Sequence, residues 1–170
     1  MPGKRDTKGE GGKRAVRLYS LEVKLIDGPV AEAFAEKNPE MSRTIQMRGN
    51  QTLAQLHEAI FDAFDRDDEH MYEFQFGKEP MDPKARRYVL PMDSGYIFDE
   101  DRPAGLVTKT TIDSLRLKPK ESFYYWFDFG DDWWHQITLL EFVEAPPKGV
   151  YPRVTHRVGR SPPQYPNVDE

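Results

Sequence analysis

Acidic, histidine and aromatic side chains are concentrated in residues 122–143 of this sequence. Asp128, Asp131, Asp132 and His135 all fall within residues 128–135, and they form the candidate functional cluster. Imidazole and carboxylate groups together suit Zn, Mn or Fe. The sequence therefore predicts a site for a divalent metal here, in which the ligand histidines would be His57, His70 and His135.

Each histidine also has a structural explanation. His57 lies four residues from both Leu53 and Phe61, inside an apolar stripe, so a core histidine is the simpler account. His135 could hydrogen-bond a nearby aspartate and lock a turn. No closely spaced ligand motif such as HExxH supports the metal.

The same stretch is rich in aromatic residues. They are Tyr124, Tyr125, Trp126, Trp133 and Trp134. If this stretch is a hairpin, one face packs on a helix and the other could bind a peptide, a sugar, a base or another subunit. Trp126, Trp133 and Trp134 are the candidate contacts. Alternatively, the irregular residues 77–109 or a Pro-rich tail covers them.

Other chemistries have little support. The chain has no cysteine, which excludes disulfides, thiol nucleophiles and iron–sulfur clusters. It has no G-x-S-x-G motif and no Gly-rich phosphate loop. The Gly-Asp-Asp and Asp-Phe-Gly strings at residues 128–132 resemble polymerase and kinase motifs, but a turn explains both.

The hydrophobic periodicity predicts the elements that would position these side chains. The strands of the hairpin are Phe123–Phe129 and Trp133–Val143, joined by Gly130-Asp131-Asp132. The main helix is Thr52–Phe64, with a capping box from Thr52 and Gln55. Further elements are strands at Arg17–Ile26, Arg43–Met47 and His70–Phe76, a short helix at Val30–Glu36, short strands at Tyr88–Pro91 and Tyr96–Phe98, and a helical turn at Thr111–Leu115.

This order predicts an α+β fold, in which one main helix packs on a mixed or antiparallel sheet in a β-grasp-like arrangement. Residues 1–16 form a flexible basic tail, 17–144 a single α+β domain, and 145–170 an extended Pro-rich tail. Residues 77–109 are an irregular insertion.

The charge distribution limits the partners. The net charge is −5, and the basic residues 1–17 leave a balance of −9 on the rest of the chain. An acidic body makes nucleic acid an unlikely partner, apart from weak contact through the basic tail. No apolar run reaches the roughly 18 residues of a membrane span. We expect a cytoplasmic protein.

Three segments resemble the plasmid pRiA4b ORF-3-like family, which is also known as passenger proteins of an IS1096-type insertion element. They are LAQLHEAIFDAF at 53–64, DDEHMYEFQFG at 67–77 and FDFGDDWWHQITLLE at 127–141. The matching positions are Leu56, His57, His70, Tyr72, Phe74, Asp128, Phe129, Gly130, Asp131, Asp132, Trp133 and His135. The resemblance implies an α+β fold and a link to mobile elements, with no established activity. Larger members carry a Cys-Pro-Pro-Glu-Asp-like segment, where this chain has Ser161-Pro162-Pro163-Gln164.

The sequence therefore predicts a binding or interaction protein that is accessory to a plasmid or mobile element and binds an unknown protein partner. The alternative is a small metal-dependent, hydrolase-like enzyme that uses the His/Asp cluster. The enzyme requires His135 and the aspartates to be accessible and convergent. The interaction protein requires exposure of Trp126, Trp133 or Trp134.

Overall fold

The computed structural model describes residues 16–91, 102–144 and 148–166. Within these ranges the strands are β1 (Leu18–Asp27), β2 (Ser42–Arg48), β3 (Tyr72–Phe76), β4 (Arg86–Val89), β5 (Gly105–Leu106), β6 (Ser122–Phe127), β7 (Trp133–Val143) and β8 (Arg153–Val158). The α-helices are α1 (Glu32–Lys37) and α2 (Leu53–Ala63), and Asp113–Leu115 forms a 3-10 turn. The predicted strand Tyr96–Phe98 lies outside the described residues.

All eight strands belong to one sheet, in the order β5-β4-β3-β6-β7-β1-β2-β8. Neighbouring strands are antiparallel, except for the parallel pair β4–β5. The last long strand, β7, lies beside the first, β1. This arrangement confirms the predicted α+β class, with a mixed sheet and one main helix.

The pleat of β6 and β7 gives the sheet two different faces. Tyr125 pairs with His135 and Trp126 pairs with Trp134 in the antiparallel register. Because successive side chains point to opposite sides of a strand, these two pairs lie on opposite faces. We call the face that carries Tyr125 and His135, packed against α2, the helix face. The other is the open face.

Helix α2 begins where the sequence predicts. The Thr52 hydroxyl accepts a hydrogen bond from the N–H of Gln55, and the Gln55 side chain accepts one from the N–H of Thr52. This capping box satisfies two amide groups that the first helical turn leaves free. The buried side of the helix then covers the sheet with Leu53, Leu56, His57, Ile60 and Ala63.

A strand that the sequence did not indicate lies in the segment predicted as a Pro-rich tail. Residues Arg153–Val158 form β8, which pairs with β2 at the end of the sheet. Five of its six residues are exposed, and Val154 packs against the core. A largely exposed edge strand with so few apolar residues has no clear alternation, and the surrounding prolines obscure it further.

Arg43 on β2 joins β8 to the end of α2. Its side chain is only 2% exposed. It donates hydrogen bonds to the carbonyls of Ala63 (2.9 Å), Val158 (3.0 Å) and Gly159 (3.1 Å), and to the Ser161 hydroxyl (2.9 Å). The planar guanidinium has five N–H donors, and this is the residue type that can satisfy so many oxygens at once.

Replacing Arg43 with methionine tests this role, because Arg43→Met keeps the length of the side chain and removes every donor. We expect the free energy of unfolding to fall by about 2–4 kcal/mol, since buried carbonyls lose their partners. Urea denaturation followed by circular dichroism measures the change. The exposed arginine of β8 provides the control, Arg153→Met. Equal small losses in both variants would contradict the role assigned to Arg43.

Candidate functional site

His135 lies in the core, on the helix face of the sheet. Its side chain is 0% exposed. Nε2 lies 2.7 Å from Nη2 of Arg66, and Nδ1 lies 3.2 Å from the backbone oxygen of Tyr125. Burial lowers the pKa of His135 well below its usual value, so the ring is neutral. Nε2 then accepts from Arg66, and Nδ1–H donates to the carbonyl.

Arg66 is held among aromatic rings beside His135. Its guanidinium carbon lies 5.2 Å from the ring centre of Phe64, 5.0 Å from that of Phe127 and 5.1 Å from that of Trp133. Burial lowers the pKa of Arg66 to about 10, which leaves it charged at neutral pH. The rings therefore stabilise a buried cation that the sequence analysis did not identify.

His57 belongs to the same buried cluster. Its ring stacks on Tyr72 with the centres 3.7 Å apart. Burial and the Arg66 charge lower the pKa of His57 to about 3, so this ring is also neutral. Nδ1 lies 2.5 Å from the Tyr125 hydroxyl, and Nε2 contacts the carboxylate of Glu69. The neutral ring then donates to Glu69 and accepts from Tyr125.

Glu69, His57 and Tyr125 thus form a chain of carboxylate, imidazole and hydroxyl. That order also occurs in nucleophilic catalysis, where the base orients toward an accessible nucleophile. Tyr125, however, is 0% exposed, and burial raises the pKa of its hydroxyl well above the ordinary value. No substrate reaches this oxygen, so the chain stabilises the interface between α2 and the sheet.

His70 lies apart from this cluster, near the hairpin turn. Its Nε2 is 2.8 Å from the Tyr165 hydroxyl and 3.5 Å from Oδ2 of Asp128. Nearby, the side chain of Gln164 accepts from the N–H groups of Asp67 and Asp68. His70 therefore takes part in docking the C-terminal segment onto the loop before β3.

Two of the three aspartates of the hairpin have a local partner for their side chain. Asp128 has a positive φ of 63°, and its Oδ1 accepts from the N–H groups of Gly130 (3.0 Å) and Asp131 (3.1 Å). Oδ1 of Asp132 accepts from the indole N–H of Trp126 at 2.8 Å. The side chain of Asp131 is exposed. The structure thus separates the members of the predicted cluster, since His135 lies inside the core.

The predicted metal ligands do not share one location. His135 contacts Arg66, His57 contacts Glu69 and Tyr125, and His70 contacts Tyr165. Within the part of the chain that the structure describes, no three His, Asp or Glu side chains are grouped so that they could hold a metal ion.

The predicted aromatic contacts divide between the two faces. Trp133 is 0% exposed in the core, whereas Trp126 is half-buried on the open face. Trp126 stacks on Trp134, with ring centres 5.1 Å apart and an angle of 5° between the ring planes. The ring centre of Phe129 lies 4.2 Å from that of Trp126. Trp126, Phe129 and the half-buried Tyr124 are therefore the aromatic residues of the hairpin that reach solvent on this side.

Beside Trp126 lies a polar network that the sequence did not reveal. Glu73 and Gln75 are 3% and 2% exposed, although they point to the open face. Arg87 on β4 binds both carboxylate oxygens of Glu73, at 2.8 and 3.0 Å. The Gln75 side chain donates to Glu73 at 2.9 Å and accepts from the N–H of Met81.

Two cavities meet at this ion pair, and together we call them the open-face groove. The first, of about 440 Å³, is lined by Glu73, Gln75, Met81, Asp82, Pro83, Ala85, Arg86, Arg87, Arg102, Ala104 and Trp126. The second, of about 360 Å³, is lined by Met71, Tyr72, Glu73, Arg87, Val89, Leu90 and Phe129. Alternation along β3 would have identified Glu73 and Gln75 as open-face residues, but only the pairing of β3 with β4 brings Arg87 to them.

Comparison with known proteins gives one family and one fold. The family model described as plasmid pRiA4b ORF-3-like protein matches residues 32–165. A crystal structure of MM3350, a protein of unknown function from Methanosarcina mazei Go1, is similar with a TM-score of 0.64 and 21% sequence identity. That similarity covers 88% of this chain and 74% of MM3350. No curated protein matches the chain.

No helix in the described ranges is long and apolar enough to cross a membrane.

The two buried histidines predict a loss of stability in acid. Both have pKa values in the folded protein below the ordinary 6.5, so unfolding takes up protons as the pH falls below that value. The stabilisation of the folded protein by these two neutral histidines is complete above pH 6.5 and declines as the pH falls below it. Between about pH 7.5 and about pH 5.5 we expect a loss of about 1.4 kcal/mol per histidine, or about 2.7 kcal/mol for both.

Urea unfolding at the two pH values measures this loss. His135→Gln should remove about half of the pH dependence, since one titrating group is gone. The exposed His156 supplies the matched control, His156→Gln, which should keep all of it. If His135→Gln leaves the pH dependence unchanged, His135 is not the buried neutral group described above.

Proposed function

This chain belongs to the plasmid pRiA4b ORF-3-like family, and we propose that it acts as a binding module whose contact surface is the open-face groove. The observation that carries the proposal is the meeting of two cavities at the Glu73–Arg87 ion pair, beside Trp126 and Phe129. Ligand sites in proteins are typically concave, with aromatic walls and a few fixed polar groups.

The energetics of the ion pair support a binding role. Removing a carboxylate and a guanidinium from water costs several kcal/mol per ion, so a buried pair contributes little net stability. Glu73 is nearly buried, yet its network lies at the floor of a groove and not between α2 and the sheet. We infer that the pair is retained because it fixes polar groups where a ligand docks.

The fixed orientation of Trp126 supports the same role. Its indole is held by stacking on Trp134 and by the hydrogen bond to Asp132. A side chain that is already ordered loses little conformational entropy when a partner binds. The aspartates of the hairpin contribute to binding indirectly, because Asp128 shapes the turn and Asp132 holds the indole.

The alternative, a metal-dependent enzyme, has no specific observation in its favour. It requires accessible and convergent His135 and aspartates, and His135 is 0% exposed with Arg66 as its partner. An accessory role in a plasmid or mobile element and a cytoplasmic location belong to our proposal as well. They rest on the family resemblance and on the lack of cysteine.

Elemental mass spectrometry separates the two functions. Protein purified without a His tag should carry no stoichiometric Zn, Mn or Fe, because the three histidines are engaged with protein groups. His135→Ala should leave the metal content unchanged and lower stability. Near-stoichiometric metal that is lost in His135→Ala would contradict the binding module and support the enzyme.

Filling the groove tests where ligands bind. Ala104 is exposed at the wall of the first cavity, so Ala104→Trp should block it with little effect on stability. We expect hits from a dipeptide library to shift the Trp126 indole N–H signal in NMR spectra, and Ala104→Trp to abolish those shifts. The control is Ala33→Trp at an exposed position of α1. Hits that bind elsewhere, or that Ala104→Trp does not affect, would contradict the proposed surface.

A further inference from the structure

We propose that the open-face groove recognises an extended protein segment in which an acidic residue lies near a large apolar residue. This inference rests on the proposed function and specifies the chemistry of its ligand. It follows from the different character of the two cavities and from the ion pair that divides them.

The first cavity is suited to an anionic group. Arg86 and Arg102 both line it and are exposed to solvent. Asp82 also lines this cavity. Its carboxylate accepts hydrogen bonds from the backbone N–H groups of Lys78 and Lys84, at 2.9 Å each. Those hydrogen bonds lower the pKa of Asp82, so it stays ionised and engaged in its turn. The guanidinium groups are left to attract a carboxylate.

The second cavity is suited to an apolar group. Met71, Val89, Leu90 and Phe129 form most of its surface. Met71 and Phe129 are 43% and 38% exposed, which is unfavourable for large apolar side chains in water. A bound apolar side chain would remove both from solvent. Methionine and phenylalanine are enriched at protein interfaces for this reason.

The Glu73–Arg87 ion pair fixes where the acidic and the apolar side chain of the ligand lie relative to each other. Glu73 and Arg87 border both cavities, so an acidic group in the first and an apolar group in the second lie on either side of them. In an extended segment, residues two apart point to the same side. A segment that crosses the ion pair therefore places an acidic and an apolar side chain in the two cavities together.

The openness of the groove favours a protein segment over a metabolite. Pockets for small molecules typically enclose most of the ligand surface. Both cavities here are open to solvent along the sheet, so they can receive side chains from a backbone that runs across the surface. The chain beyond residue 17 has a net charge of −9, yet Arg86, Arg87 and Arg102 outnumber Glu73 and Asp82 among the charged residues that line the first cavity. An acidic partner is thus directed to this groove.

Fluorescence anisotropy with two labelled peptides tests the inference. One peptide repeats Asp-Ser-Phe-Ser, so that each aspartate lies two residues from a phenylalanine and on the same side of the extended chain. The other has lysine in place of each aspartate. We expect the acidic peptide to bind roughly tenfold more tightly, and its affinity to fall as salt screens the rim charges. The double variant Arg86→Glu/Arg102→Glu should weaken it by at least roughly tenfold. The control Arg160→Glu changes another exposed arginine and should have little effect.

The outcomes separate this inference from the proposed function. If both peptides bind equally, and Ala104→Trp blocks both, the groove is the binding surface and the acidic specificity is wrong. If Ala104→Trp blocks neither peptide, both proposals are wrong. Because the salt dependence is measured on the wild-type protein, a poorly folded double variant does not remove the test.

Discussion

The pleat of the β6–β7 hairpin is the constraint on which the rest of the structure depends. Alternate side chains must point to opposite faces, and the antiparallel register aligns Tyr125 with His135 and Trp126 with Trp134. A slip of one residue would exchange the two sets. The hairpin thereby sends its imidazole to the core beneath α2, and it sends the Trp126 indole to the side of the sheet that α2 leaves uncovered.

Each face then carries a polar network, with a different relation to solvent. On the helix face, Arg66 is enclosed by rings and donates to the neutral His135, while the neutral His57 accepts from the Tyr125 hydroxyl. On the open face, Glu73 and Arg87 form an ion pair at the floor of a groove. In this core network Nη1 of Arg66 and Nε1 of Trp133 have no hydrogen-bond partner among the described residues, and both groups are enclosed by the packing of α2 on the sheet. A polar network at a groove offers oriented polar groups to a ligand, which is why we assign binding to the open face.

Local periodicity was sufficient for much of the fold. The hairpin and the helix with its Thr52–Gln55 capping box are determined by neighbours in sequence, and the structure confirms both. The residues that required the structure depend on distant partners. Arg66 enters the core only because Phe64, Phe127 and Trp133 converge around it. Glu73 finds Arg87 through strand pairing, and β8 exists because Arg43 and β2 hold it. The aspartates and histidines near residue 130 looked like one cluster because proximity in sequence does not say which face each side chain occupies.

The accessibility of the histidines tests the central claim most directly, namely that the imidazoles of the core are structural and the open face makes contact with partners. Diethyl pyrocarbonate labelling of the native protein, followed by peptide mass spectrometry, reports each of the four histidines separately. We expect His70 and His156, which are at least partly exposed, to react, and His57 and His135 to be protected until the protein unfolds. Reaction of His135 in the folded protein at a rate similar to that of His156 would contradict the claim, because the cluster beneath α2 would then be open to solvent and available for chemistry.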